Sequence, residues 1–403
     1  MIGRAILRTT FWLSVGDAAT LVAFAVVAIV VARRLGAAAL GDYSMAMTIG
    51  ALLQIVADAG YNMWLTRTVA RQPERIGAVL AEAIGTKAVL WCATLPLALA
   101  VAAAHSSTAL ALTVVVALDV LTSCIGFAVL AALRGVERYV APQLISSGYS
   151  LVAAVAMVAA IVLCDSLVLA VVLMTAIGTG RALHLLARFR AETGEHFHGE
   201  HLAASLRLRN VAAQLRQQWR LWLVNIASSI VHRVPLVVLG LRGGSAEVGY
   251  FSAAFRIYSA ARIVPGALFN VALPRLAADG STAVVRSIAV TGAALGIGIA
   301  AAMWIAAEPI VRITFALDAA IEPLQFFALA FVGLSLKTTL EALLIGRRRD
   351  RLVAGAVTLG AIVSIVVALL LPPTATMFSL LHVAIEWLLF IVLAVWLVRW
   401  RLR

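Results

Sequence analysis

Long apolar stretches alternate with short arginine-bearing segments along the whole chain. Stretches of about 20 residues, the length that crosses ~30 Å of hydrocarbon as a helix, fall at 11–33, 44–66, 79–104, 108–132, 141–163, 166–188, 219–241, 246–271, 284–306, 323–345, 352–371 and 376–398. This pattern predicts an all-α polytopic membrane protein with twelve transmembrane helices. One connection is long, at 189–218 in the middle of the chain. It divides the sequence into an N-terminal six-helix lobe, 1–190, a cytoplasmic linker, 191–218, and a C-terminal six-helix lobe, 219–403. Within the linker, Leu202, Leu206, Val211 and Leu215 are interspersed with Arg207, Arg209 and Arg216, the pattern of an amphipathic helix lying on the inner leaflet.

Composition agrees: 63% of residues are hydrophobic and 13% charged, with a mean hydropathy of +1.02, whereas soluble domains carry about a quarter charged residues. The net charge of +13 would point to nucleic acid in a soluble chain. Here its distribution explains it. With a cytoplasmic N-terminus, 23 arginines fall in cytoplasmic segments, and only Arg33, Arg34, Arg242 and Arg312 fall on the other side. That asymmetry predicts an N-in, C-in orientation and removes the need for a nucleic-acid partner. Arg4 and Arg8 precede an apolar run without a clear cleavage site, so no signal peptide is expected. Cys92, Cys124 and Cys164 lack metal-ligand spacing and read as small core residues. His196, His198 and His201 cluster in the polar linker without accompanying carboxylates or cysteines, and no metal site is expected there.

The two halves resemble each other. "LGAAALGDYSMAM" at 35–47 aligns with "LRGGSAEVGYFSAAF" at 241–255, placing Gly41 over Gly249 and Ser44 over Ser252 at an offset of 208. "LRGVER" at 133–138 aligns with "LIGRRR" at 344–349 at an offset of 211. Each match falls at the same point in the helix order of its half, as a parallel internal repeat requires. Such duplications in transporters place the substrate site between the repeats and permit alternating access.

Three arginines are assigned to span interiors, Arg233, Arg256 and Arg262, while those nearer span ends, Arg181 among them, are counted with the flanking cytoplasmic segments. A charge at the bilayer centre costs about 2.5 to 3.5 kcal/mol on insertion scales, so these positions require a reason. Arg256 and Arg262 are about 9 Å apart along a helix and on different faces, within reach of one cavity through their long side chains. Guanidinium stays protonated and binds phosphate through a planar fork of donors. An anion with several oxygens is therefore the ligand they suit. The alternative is structural pairing with Asp17 or Asp119. Those two aspartates and Glu386 are also candidates for carrying a coupling proton or sodium ion. Lys87 is either cavity-facing or snorkelling to the inner surface. Asp58 reads as a partner of Arg67 or as a helix-end residue. Lys337 and Glu341, and His382 and Glu386, stand at i and i+4 on predicted helices. An intrahelical pair is the first expectation for the former, and an interior polar stripe for the latter.

A family resemblance adds to this picture. "FAVVAIVVARRLGAAALGDYSMAM", "LLQIVADAGYNMWLTRTVAR", "LAALRGVER", "EVGYFSAAFRIYSAARIVPGALFNVALPRLA" and "AAEPIVRITF", in this order, resemble the polysaccharide flippases of the multidrug/oligosaccharidyl-lipid/polysaccharide exporter superfamily, the O-antigen-unit flippases most of all. The resemblance implies a multi-pass protein of the bacterial inner membrane that carries an undecaprenyl-diphosphate-linked oligosaccharide to the opposite leaflet for lipopolysaccharide or other surface polysaccharide. A polysaccharide polymerase is a further candidate partner, which the sequence by itself does not decide. Arg256, Arg262, Arg233 and Lys87 would then bind substrate. The chain departs from lipid II flippases, which usually have fourteen helices and several first-lobe arginines. Asp17, Asp58 and Asp119 keep a cation-coupled drug or small-molecule antiporter as the alternative. No cofactor is expected. The predicted outer loops are short and carry no paired carboxylates, phosphate-binding glycine loop or nucleophile elbow, so the chain does not read as an enzyme.

Overall fold

A computed structural model describes residues 2–194, 208–266, 268–269, 282–346 and 349–401. Among them there are only helices and turns. In chain order the α-helices are α1 (Ile2–Asp58), α2 (Tyr61–Arg71), α3 (Ile76–His105), α4 (Ser107–Gly135), α5 (Val140–Cys164), α6 (Leu167–Thr193), α7 (Leu208–Ala261), α8 (Thr282–Ile305), α9 (Ala307–Thr314), α10 (Ile321–Gly346), α11 (Asp350–Leu370) and α12 (Ala375–Arg401). Nine helical stretches among the described residues are long and apolar enough to cross a membrane, and one of these runs 54 residues, Ala18–Arg71. Backbone groups in hydrocarbon must be satisfied internally, which is why apolar segments of this length form helices.

Two helices are far too long for a single crossing. α1 has 57 residues and α7 has 54, against about 20 per crossing. Each bends at one glycine: Gly36 has φ 84° and ψ −179°, and Gly244 has φ 81° and ψ 175°. That region of backbone space is essentially restricted to glycine, so a side chain at either position would be strained. The two glycines stand 208 residues apart. α6 and α12, with 27 residues each, also begin 208 residues apart, and α4 and α10 end 211 residues apart at Gly135 and Gly346. These are the two offsets of the sequence repeat.

The chain forms two compact units, Met1–Leu35 with Met45–Ile226, and Gly36–Ser44 with Ala227–Arg403. In the first, α4 packs against α2, α3 and α6. Its last turns, Ala128 to Leu133, are buried against Tyr61, Leu65, Val69, Leu80, Leu185 and Phe189. Ala59 and Gly60, with φ of 44° and 79°, break the helix between α1 and α2. Asp58 and Asn62 on either side of that break both accept from Lys87 Nζ, at 2.6 and 2.7 Å. In the second unit, α10 packs against α8 and α12.

The cysteines are free, and only Cys124 is buried. Cys92 and Cys164 are exposed, contrary to the expectation of three core residues. Hydropathy places a residue in a span but not on the inner or outer face of the helix. The linker histidines and the segment 195–207 lie outside the described residues.

Candidate functional site

Within the second unit, Gly36–Ser44 crosses the stretch of α7 that follows Gly244. The two backbones meet where side chains are absent. A Cβ on Gly41 would fall 1.7 Å from the carbonyl oxygen of Ser245, and one on Gly249 would fall 2.0 Å from that of Ala37. Asp42 accepts from Ser245 Oγ at 2.6 Å across the same crossing. Small residues allow this approach, as in other close helix pairs in membranes.

The crossing brings Tyr43 and Ser44 against Arg256. The Arg256 guanidinium lies over the Tyr43 ring, 5.6 Å from its centroid, and Nη2 reaches Ser44 Oγ at 3.5 Å. Its Nε is buried and has no hydrogen-bond partner among the described residues. Tyr258, two residues on, is fully buried and stacks on Phe327 at 5.0 Å. The Arg262 guanidinium lies 5.9 Å from the same Tyr258 ring. Arg262 closes a last helical turn, its N–H donating to the Tyr258 carbonyl at 3.2 Å. Arg233, on the earlier arm of α7, is half-buried. None of Arg233, Arg256 and Arg262 forms an ion pair with a carboxylate among the described residues.

Beneath Tyr258 the charges are instead matched. Lys337 Nζ on α10 pairs with Glu386 Oε2 on α12 at 2.7 Å. His382 Nε2 stands 3.6 Å from Glu386 Oε1, and the Tyr258 hydroxyl is 3.5 Å from Glu386 and 3.3 Å from His382. Glu386 is completely buried. The expected intrahelical pair of Lys337 with Glu341 is thus replaced by an interhelical one, because the lysine faces α12. His382 and Glu386 do form an interior stripe. With His232 they bring ligand atoms within 4.8 Å of one another, a spacing that could hold a metal ion. The Lys337 ammonium already neutralises Glu386 and would repel a metal cation there.

The remaining candidates separate. Lys87 is 1% exposed and bound to Asp58 and Asn62, so Asp58 pairs with Lys87 rather than with Arg67. The side chain of Asp17 lies outside the described residues. Asp119, on α4, lines a cavity in the first unit with Ser123 and Arg181. Arg181 is the charged residue whose neighbours sequence reasoning missed: it was counted with the cytoplasmic arginines, and the structure shows that α6 carries it against Ser123 of α4. The signal present in the sequence was its position inside the apolar run 166–188.

The comparisons with known proteins agree with this architecture. The structure is similar to that of the lipid II flippase MurJ in an inward closed conformation, with a TM-score of 0.74 and 12% identity over 96% of this chain and 87% of that chain. It is similar to an inward-facing multidrug resistance MATE family transporter of the MOP superfamily, with a TM-score of 0.68 and 15% identity over 96% and 94%. A MOP superfamily transporter from Pyrococcus furiosus gives a TM-score of 0.59 and 13% identity over 99% and 95%. Identities this low establish the fold alone. No curated protein sequence matches the chain. The family model described as polysaccharide biosynthesis protein matches residues 6–278, more than half of the chain, and the protein therefore belongs to that family, with the fold shared by MurJ and the MATE transporters.

Proposed function

We propose that the protein is a flippase, not an enzyme, that moves an undecaprenyl-diphosphate-linked oligosaccharide across the bacterial inner membrane for surface polysaccharide such as O-antigen. In this proposal the chain crosses the membrane twelve times with both termini cytoplasmic. It is organised as lobes 1–190 and 219–403 joined by a linker at 191–218. The observation that carries the proposal is a set of arginines with no carboxylate ion pair among the described residues, Arg256 above all. Its guanidinium is held by a tyrosine face and a serine hydroxyl, and its Nε is left unbonded. A buried cation without a partner is strongly unfavourable, and a diphosphate supplies the missing charge in the form guanidinium binds best. Arg262, against the Tyr258 ring, and Arg233 are the further residues assigned to the diphosphate. Alternating exposure of these residues to the two sides of the membrane would carry the diphosphate across. Lys87 is assigned to structural pairing with Asp58. The resemblance of the chain to polysaccharide flippases, and the likeness of its fold to the lipid II flippase MurJ, support a lipid-linked substrate.

A second reading, a cation-coupled antiporter of small molecules, is favoured by one feature. Glu386, with Lys337, His382 and His232, forms a buried group of titratable side chains able to exchange a proton.

Complementation of a strain lacking its own O-antigen flippase tests the proposal. Wild type, Arg256→Ala, Arg256→Lys and Arg262→Ala would be compared at matched membrane expression, with surface polysaccharide as the readout. Restored export by wild type and loss in the alanine variants is expected, and failure of the lysine variant would indicate bidentate phosphate binding. Full activity of both alanine variants would sink the anion-binding mechanism. Resistance to a cationic dye without polysaccharide export would favour the antiporter.

A further inference from the structure

The first unit contains a cavity of ≈ 190 Å³ that the phosphate-binding arginines do not line. Helices α1, α4, α5 and α6 each contribute to its wall. The chemistry there differs from that around Arg256. Arg181 Nη2 donates to Ser123 Oγ at 2.6 Å, and the Ser123 hydroxyl approaches Asp119 Oδ2 at 3.5 Å. The Arg181 guanidinium is steadied over the Phe127 ring, 5.5 Å from its centroid. Gly178 on α6 gives the carboxylate its room, since a Cβ there would fall 2.3 Å from Asp119 Oδ1.

This arrangement contrasts with the equivalent helix pair of the second unit. Between α10 and α12 the two charges, Lys337 and Glu386, meet directly at 2.7 Å in a closed interior. Between α4 and α6 the carboxylate and guanidinium are linked through one hydroxyl, and both line an open volume. A pair serving only to hold helices together gains most by direct contact. This one leaves lone pairs and N–H groups available to a guest.

We infer that the Asp119–Ser123–Arg181 cavity is the subsite for one sugar ring of the lipid-linked substrate. The inference rests on the flippase reading above and deepens it. One negative and one positive group give the cavity no net charge, so it has little to attract an ion. An acceptor and a donor a few ångströms apart match the neighbouring hydroxyls of a sugar. Phe24, Phe127 and Tyr149 add aromatic wall, and Gln54 and Ser150 add further polar groups. The size agrees as well: a cavity of about 150 Å³ admits benzene, so this one accepts a single six-membered ring with some substituents. Charge-assisted hydrogen bonds from both side chains would strengthen binding by about tenfold or more.

The test uses the full-length protein in lipid nanodiscs and two probes, undecaprenyl diphosphate and undecaprenyl-diphosphate-linked N-acetylglucosamine. The quantity read is the ratio of their dissociation constants. Wild type is expected to bind the sugar-bearing lipid about tenfold more tightly, and Asp119→Asn and Arg181→Gln are expected to bring the ratio to about one. Phe127→Ala provides a variant outside the hydrogen-bonded chain and should lower the ratio partway. A wild-type ratio near one, or a ratio unaltered in both Asp119→Asn and Arg181→Gln, overturns the subsite while leaving the flippase reading intact. Binding of neither probe by wild type overturns the flippase reading and the subsite together.

Discussion

Removing Lys337 tests whether the buried charges of the second unit hold the helices together. Lys337→Met takes away the ammonium 2.7 Å from Glu386 and leaves a carboxylate with no solvent access. At an effective dielectric constant of ~20, two unit charges at that separation attract by about 6 kcal/mol. Desolvation offsets part of this, and breaking one partner of a buried pair typically destabilises by about 3 to 5 kcal/mol. The Tyr258 hydroxyl and His382, at 3.5 and 3.6 Å, replace little of the lost interaction because neither carries a fixed positive charge. For a unit of this size, about 2 to 4 °C per kcal/mol converts the loss to a fall of about 6 to 20 °C in apparent melting temperature in detergent. Glu386→Gln should produce a comparable fall by orphaning Lys337. The double variant Lys337→Met/Glu386→Gln removes both charges and should recover most of the loss, since replacing a whole buried pair is often nearly neutral. Single variants melting within about 2 °C of wild type would refute the reasoning, as would a double variant no better than the worse single one.

Other expectations are independent of that pair. Lys87→Met should likewise destabilise the first unit by about 3 kcal/mol, because Asp58 and Asn62 lose their common donor; thermal denaturation followed by size-exclusion fluorescence measures it, and a wild-type profile would contradict the assignment. Gly249→Ala should lower both melting temperature and polysaccharide export, since its Cβ would fall 2.0 Å from the Ala37 backbone carbonyl and force the crossing apart; wild-type export would show that the crossing tolerates separation. Arg242→Ala removes the guanidinium that donates to the carbonyls of Ala368, Leu369 and Leu371 at 3.2, 2.8 and 2.9 Å, and should speed limited proteolysis after α11 without abolishing complementation.

Much of the architecture was legible in the sequence because the membrane imposes it. A fixed hydrocarbon thickness sets the length of each apolar run, and unsatisfied backbone groups in lipid leave helix as the form such runs take. The repeat was legible for a related reason: Gly36 and Gly244 share a backbone conformation few other residues adopt, and the small residues beyond them, Gly41 and Gly249, are fixed by a crossing that excludes side chains.

Azimuth was not. Hydropathy reports how deep a residue sits but not which neighbour it faces, and the pairs that matter join helices distant in sequence. Lys87 meets Asp58 across 29 residues, Lys337 leaves Glu341 for Glu386 on another helix, and Arg181 meets Ser123 on α4. Each choice depends on the rotation of a helix about its own axis, which packing against its neighbours decides. The sequence by itself determined that the chain is a bundle of membrane helices, duplicated and bearing buried arginines. Only the tertiary structure decided which of its charges are paired off and which have no carboxylate partner among the described residues, because a buried charge is defined by its partner and the partner comes from elsewhere in the chain.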